Sequence, residues 1–466
     1  MREPSTVSRP ALSPLRLALL SACALLALAG CKSLEPELPA ARPDIPQEWA
    51  AASPAGASVA DLGWRDFFTD ARLARVIAQA LDNNRDLRVA ALNVQRARAL
   101  YGVQSSERYP GATAGGAITR SAGTTVSTVY SANLAASWEL DFFGRIASLT
   151  EAALRTFLAQ EQAARSVRLA LVADVASLWL TLATDRELQR ISQATLANQK
   201  AAFRLTERRY ELGAVSALDL AQARSQVEGA RAEVARTAGL VATDLNALRL
   251  LVGGTPAPAD LPQSFDPAVS GVAPLPAGVP SEVLLRRPDI AQAELALRAA
   301  NANIGAARAA YFPTISLTGS IGVSSRALDD LFDYNSRAWS FVPSLRLPIF
   351  QGQRLDNNLA AVTADRDIAL ARYEKAVQSG FREVSDALAL TGTLRERRAA
   401  LAAQLAAATR AEAVARLRYE GGRDSFTTLL DAQRTLYATQ TALTSVTAAE
   451  QINRITLYRV LGGGWK

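Results

Sequence analysis

The sequence predicts a mainly α-helical chain that also carries four β-strands, laid out twice on one plan. Three observations predict it. No proline occurs between Pro110 and Pro256, and none follows Pro348, so each half has room for long uninterrupted helices. Short signatures from the first half return in the second at a nearly constant offset. Three stretches of about ten residues alternate apolar and polar side chains, the period of a strand with two unlike faces.

The recurrences set the frame. Asn84-Arg85-Asp86-Leu87 returns as Arg287-Pro288-Asp289-Ile290, and Tyr109-Pro110 as Phe312-Pro313, both 203 residues on. Leu140 and Phe143 answer to Leu347 and Phe350 at 207. Arg209-Tyr210-Glu211-Leu212-Gly213 with Ser216 returns as Arg418-Tyr419-Glu420-Gly421-Gly422 with Ser425 at 209, and Gly253-Gly254 returns as Gly462-Gly463. A tandem duplication follows, with repeats at 72–254 and 281–466. Between them the segment 255–280 holds seven prolines from Pro256 to Pro280 and reads as an irregular connector. Residues 31–71 read as an extended N-terminal segment. Each repeat runs helix, two strands, long helix, tight turn, helix: helices at 72–108, 145–211 and 216–252, then 281–311, 354–420 and 425–461. At about 1.5 Å per residue the long helices reach roughly 100 Å, and two shorter ones laid end to end would match one long one, as in the wall of a cylinder. Gly213 and Gly422 fall where the chain must reverse, positions that favour a residue free to take positive φ.

Strands are expected at about 112–120, 130–142, 314–323 and 339–349. In the second, Tyr130, Ala132, Leu134, Ala136, Trp138 and Leu140 face one way and Ser131, Asn133, Ser137 and Glu139 the other. The fourth alternates from Trp339 through Phe341 and Leu345 against Ser340 and Ser344; the first is weak. Such alternation suits a membrane strand with lipid on one side and water on the other, and equally a half-buried soluble sheet. Four strands cannot close a barrel, and an open edge is not tolerated in lipid, so a membrane role would require oligomers; three chains would supply twelve strands.

The N-terminus shifts that balance towards the membrane. Arg2, Arg9 and Arg16 precede the apolar run Leu17 to Leu28, and Leu28-Ala29-Gly30-Cys31 looks like a bacterial lipobox. Residues 1–30 are then a lipoprotein signal peptide and Cys31 the lipidated first residue, with Lys32 after it favouring the outer membrane by the usual sorting convention. The mature chain keeps no second cysteine for a disulfide. Its longest apolar stretch, Leu169 to Ala183, is interrupted by Asp174, so no transmembrane helix is expected. With no histidine anywhere, histidine-based catalysis and histidine-ligated metal sites are excluded. A net charge of +7 spread without a basic block argues against nucleic acid as a partner.

Against this background the residues resemble the TolC-like outer-membrane factors, in particular the lipoproteins of resistance-nodulation-division efflux systems. The resemblance rests on Trp64-Arg65-Asp66-Phe67-Phe68-Thr69-Asp70 with Leu73, Ile77 and Asn84, on Leu285-Arg286-Arg287-Pro288-Asp289-Ile290, on Tyr311-Phe312-Pro313, and on Leu430-Asp431-Ala432-Gln433-Arg434. It implies a homotrimer, with a 12-stranded outer-membrane barrel continued by an α-helical tunnel. Such a trimer is a passive gated conduit with no cofactor beyond lipid, fed by an inner-membrane pump through a periplasmic adaptor. It further implies that Gly213, Ser216, Gly422 and Ser425 lie at adaptor-contacting tips. Asp431 with Arg434 would form the pore constriction, and Asp219 and Tyr419 would form links that hold the gate shut. Where the family often has leucine four residues before that aspartate, this chain has Thr427. A structural lipoprotein spacer and a periplasmic enzyme are the competing readings.

Overall fold

A computed structural model describes residues 34–43, 62–124, 126–265, 272 and 286–463. Cys31, the signal peptide and most of the proline-rich connector lie outside the described residues. Among the described residues eight α-helices and four strands follow in order. They are α1 (Trp64–Phe67), α2 (Ala71–Asn83), α3 (Arg85–Ser106), β1 (Gly111–Ala122), β2 (Val126–Leu140), α4 (Arg145–Glu211), α5 (Ala217–Val252), α6 (Pro288–Ala309), β3 (Thr314–Ser325), β4 (Arg337–Arg346), α7 (Arg354–Glu420) and α8 (Phe426–Val460). The chain divides into two compact units that cut across the expected halves, one of residues 1–41, 94–160 and 293–373, the other of 42–93, 161–292 and 374–466.

The first unit holds a four-stranded antiparallel sheet in the order β1-β2-β3-β4. Its register places Leu134 opposite Ile321, Trp138 opposite Leu317, Ile321 opposite Trp339 and Ile315 opposite Leu345, so the apolar sets of all three alternating strands share one face. The other face is polar, and Ser316 and Ser320 meet Ser344 and Ser340 across it at 2.7 and 2.8 Å. Both edge strands, β1 and β4, are exposed along their whole length. Among the described residues nothing pairs with their outer edges. On α6, Asn301 Nδ2 donates to Glu35 Oε1 and to the Pro36 carbonyl at 2.9 and 2.8 Å, seating part of the N-terminal segment.

The second unit is packed around helix ends. Trp64, Phe67, Phe68, Leu73 and Ile77 are buried, and the Phe67 ring stacks on Tyr458 with centroids 4.0 Å apart. The motif around Trp64 is therefore a core element. Asp70 caps α2, accepting from the amides of Arg72 and Leu73. Glycines in the left-handed region follow all four of the longer helices, Gly213, Gly253, Gly422 and Gly462, with φ between 69° and 76°. After each, the next residue's amide bonds back to the carbonyl five positions earlier, from Ala214 to Arg209, Gly254 to Arg249, Arg423 to Arg418 and Gly463 to Tyr458. That is the Schellman closure, which satisfies carbonyls a helix end leaves open. Asn84 Nδ2 donates to the Leu251 carbonyl at 2.8 Å, and Arg287 Nη1 to the Val460 carbonyl at 3.1 Å. These are matched positions of the two halves, since 287 lies 203 beyond 84 and 460 lies 209 beyond 251.

Several boundaries depart from the sequence expectation. The helix expected over 72–108 breaks at Asn84, whose side chain accepts from the Leu87 amide and so begins α3 as a cap. The helix expected from 281 begins at Pro288, where a ring without an N–H is best tolerated; residues 281–285 lie outside the described set. The segment expected to be extended up to 71 contains α1. The fourth strand stops at Arg346, paired with Thr314, rather than at 349, because β3, the strand it pairs with, begins at Thr314. β1 is a full twelve-residue strand although its Gly, Ala and Thr residues gave little contrast. An 18-residue window of α4 is long and apolar enough to cross a membrane, but 61% of it is buried inside the protein, as befits a core helix.

Replacing Gly253 with Ala should destabilise the second unit by on the order of 2 kcal/mol, through left-handed strain and a clash of the new methyl with the Asn83 carbonyl. Gly239→Ala, in mid-α5 with open space around it, should be neutral or stabilising. Thermal melting of the two purified variants checks the difference.

Candidate gate and tip region

The candidate residues gather around two helical turns of the second unit, α4 to α5 and α7 to α8. In the first, Gly213 closes α4 and Ser216 opens α5 with a capping box: its hydroxyl accepts from the Asp219 amide, while the Asp219 carboxylate accepts from the Ser216 amide at 3.1 Å. In the second, Gly422 closes α7 and Ser425 caps α8 through the Thr428 amide at 3.3 Å. The match of Asp219 is Thr428, so the second turn has a cap without the reciprocal carboxylate. Leu212 and Leu218 are exposed at the first turn, whereas the second presents Glu420, Arg423 and Asp424.

Asp219 and Tyr419, expected as links between helices, have partners within the chain. Asp219 is occupied by its own cap and also accepts from the Ser216 hydroxyl at 2.7 Å. Tyr419 is buried, its hydroxyl 3.1 Å from that of Thr206 on α4. It packs with Ala223, Ala415, Phe426, Leu429 and Leu430 in the cluster that ties the two turns together. Asp431 follows directly on that cluster and is exposed, with Arg434 one turn later also exposed. Their 3.9 Å separation is a loose surface pair worth little energy, so Asp431 is not neutralised by it.

Three further features carry no signal in the sequence. Arg209 reaches from α4 to the last carbonyls of α7. A cavity of about 280 Å³ lies among α4, α5 and α8, lined by Ser192, Gln199, Glu233, Gln433, Arg434 and Tyr437 among others, with the Tyr437 hydroxyl donating to Glu233 at 3.1 Å. Away from the turns, Asp244 on α5 stands beside Asp185 on α4; burial first, then the neighbouring carboxylate, push its pKa up to about 6. Spacing of 59 residues between two aspartates announces nothing. The mutual arrangement of long helices creates the pair.

A sheet with one apolar face and two exposed edge strands, in a chain of long helices that also carries exposed carboxylates beside helical turns, fits a pore-forming outer-membrane protein. Comparison with known proteins gives the family. The outer membrane efflux protein family model matches residues 76–254 and 279–463. The chain is 43% identical to outer membrane protein OprJ of Pseudomonas aeruginosa over 456 residues, 94% of each chain. It is 42% identical to the antibiotic efflux pump outer membrane protein ArpC of Pseudomonas putida over 454 residues, 94% of this chain and 93% of that one. Among solved structures, CusC superposes with a TM-score of 0.85 at 38% identity, covering 93% of this chain and 100% of that one. The open state of the Neisseria gonorrhoeae MtrE outer membrane channel gives 0.85 at 34%, covering 93% and 99%. The chain belongs to the outer membrane efflux protein family. It is an outer-membrane channel component of an efflux system, not an enzyme.

The raised Asp244 gives a pH signature. Because its folded value of about 6 lies above the ordinary 3.8, the fold favours the protonated carboxyl; that stability is full below about 3.8 and is lost as pH rises through about 6. Melting temperature measured across this window should fall more for the natural protein than for Asp244→Asn, whose amide has no proton to lose.

Proposed function

We propose that three copies of the chain close their sheets into a 12-stranded barrel, and that this homotrimer conducts drugs or other small solutes outward from a resistance-nodulation-division pump through a periplasmic adaptor. The observation that carries this reading is the sheet: one apolar face, one polar face and two edges without partners. In lipid each unpaired backbone group costs several kcal/mol, and joining β4 of one copy to β1 of the next removes both edges. The matched helix caps and matched carbonyl clamps support two tandem repeats, 72–254 and 281–466, joined by the connector 255–280. Cys31 carries the lipid, supported by the residues before it, and the acyl chains add an anchor in the outer membrane.

In this reading the turns at Gly213, Ser216, Gly422 and Ser425 meet the adaptor, supported by their exposure and by the apolar Leu212 and Leu218 beside one of them. Asp431 from three copies, with Arg434 nearby, forms the constriction. Like charges drawn to one axis repel anions and hold cations. Asp219 and Tyr419 restrain the closed state from their positions at the two turns. The pump sets the substrates, and the channel passes what it is given.

Asp431→Ala should raise single-channel conductance in planar bilayers and weaken block by multivalent cations. Conductance and block equal to those of the natural protein would remove Asp431 from the gate.

A further inference from the structure

The two helical turns share their residues but do not use them alike. Arg209-Tyr210 matches Arg418-Tyr419 at an offset of 209. Arg418 pairs with Asp424 of its own turn at 2.7 Å, and Tyr210 is 44% exposed. Arg209 instead leaves α4. Its Nη1 donates to the Tyr419 carbonyl at 3.2 Å, its Nη2 to the Glu420 carbonyl at 2.9 Å, and its guanidinium carbon lies 4.8 Å from the centre of the Tyr419 ring. Tyr419 is 3% exposed, and the Thr206 hydroxyl that meets its own is fully buried. Two residues of α4, less than a turn apart, thus hold the carbonyl, the ring face and the hydroxyl of one tyrosine on α7.

We propose that Arg209 is a positioning residue for the gate: by clamping the C-terminal turn of α7 to α4 it fixes Tyr419, and through Tyr419 the first turns of α8 that carry Asp431. The inference rests on the reading of Asp431 as the constriction. The last carbonyls of a helix are its negatively polarised end, each with room for a second acceptor bond, and a planar guanidinium can bond two of them at once where an ammonium offers a point charge. The Tyr419 ring lies 5.6 Å from that of Phe426 and shares a buried cluster with Leu429 and Leu430, the residues immediately before Asp431. Moving α7 and α8 away from α4 therefore requires releasing Arg209. The matched Arg418 bonds only within its own turn, so nothing comparable restrains α4 from the other side.

Single-channel recording of the full-length lipidated protein in planar bilayers tests this. Arg209→Ala should raise the open fraction about tenfold, equivalent to ~1.4 kcal/mol, with the oligomer intact by native mass. Arg209→Lys should recover only part of the closure, and Arg418→Ala should behave as the natural protein does. An open fraction unchanged by Arg209→Ala, or an equal rise from Arg418→Ala, overturns the clamp. Should Arg209→Ala fail to assemble, Tyr419→Phe decides, since it removes only the hydroxyl bond to Thr206: a smaller rise supports the clamp and none overturns it. A natural protein that passes no current, together with a silent Asp431→Ala, overturns the conduit reading and the clamp with it; a conducting natural protein with an unchanged Arg209→Ala overturns the clamp alone.

Discussion

Backbone groups left unpaired at the two edges of a four-stranded sheet govern what this chain can be. In water, edge amides and carbonyls bond to solvent, and a sheet such as β1-β2-β3-β4 is viable alone. In hydrocarbon the same groups have no partner, and the apolar face that lines up Leu134, Ile321 and Trp339 needs hydrocarbon or protein against it. The two demands conflict for a single chain and agree for a closed ring of chains. The sheet's composition fits that resolution: Ser316, Ser320, Ser340 and Ser344 form a hydroxyl ladder on the face opposite the apolar one, suited to a wet lumen. Close strand packing is built in as well, since a side chain at Gly322 would collide with the Ala132 carbonyl of β2.

The helical unit answers the same accounting problem by local means. Long helices end in open carbonyls, and here each long end is closed by a left-handed glycine and the next residue's amide. Three ends receive an additional donor from outside the helix: Arg209 at the end of α7, and, at matched positions of α5 and α8, Asn84 at Leu251 and Arg287 at Val460. The matched positions carry different residues. Asn84 is a neutral amide that also starts α3, whereas Arg287 is a buried cation that binds Asp289 and Glu383 too. Burial opposes ionisation of Asp289, but the Arg287 fork outweighs it and holds that carboxyl below its usual range. One geometric need has been met by a hydrogen bond in one half and by an ion-pair network in the other.

Much of this was legible in the sequence wherever a local pattern determines structure. Proline-free stretches announced α4, α5, α7 and α8; glycines announced their ends; the alternation from Tyr130 and from Trp339 announced β2 and β4. Legibility failed where the determinant is a partner distant in the chain. β1 forms because β2 pairs with it along twelve positions, although Gly111 to Ala122 hold little hydrophobic contrast of their own. The end of β4 opposite the first residue of β3 and the break at Asn84 depend on partners that a periodicity cannot register. At the turns, Arg209 and Arg418 are identical residues in matched motifs, and only the packing of α7 beside α4 separates the clamp from the local ion pair.

That asymmetry bears on how such a gate can open without a large energy input. Tyr419 and Asp219 already have intramolecular partners, Thr206 and Arg209 for the first and the Ser216 cap for the second. A contact that Tyr419 makes with a neighbouring copy competes with its buried Thr206 bond, and an exchange of equivalent hydrogen bonds is nearly neutral in net free energy, whereas the Asp219 carboxylate is capped through one oxygen and keeps the other as an acceptor. Asp431 and Arg434, by contrast, are exposed and loosely paired, so charge at the proposed constriction is free to respond to its neighbours. In the proposed gate, closure depends on packing of the Tyr419 cluster and on the Arg209 bonds, both within one protomer, while selectivity depends on charges contributed by several. The two properties are held by different residues, so a partner docking at the turns can act on the first while leaving the charges of the second in place.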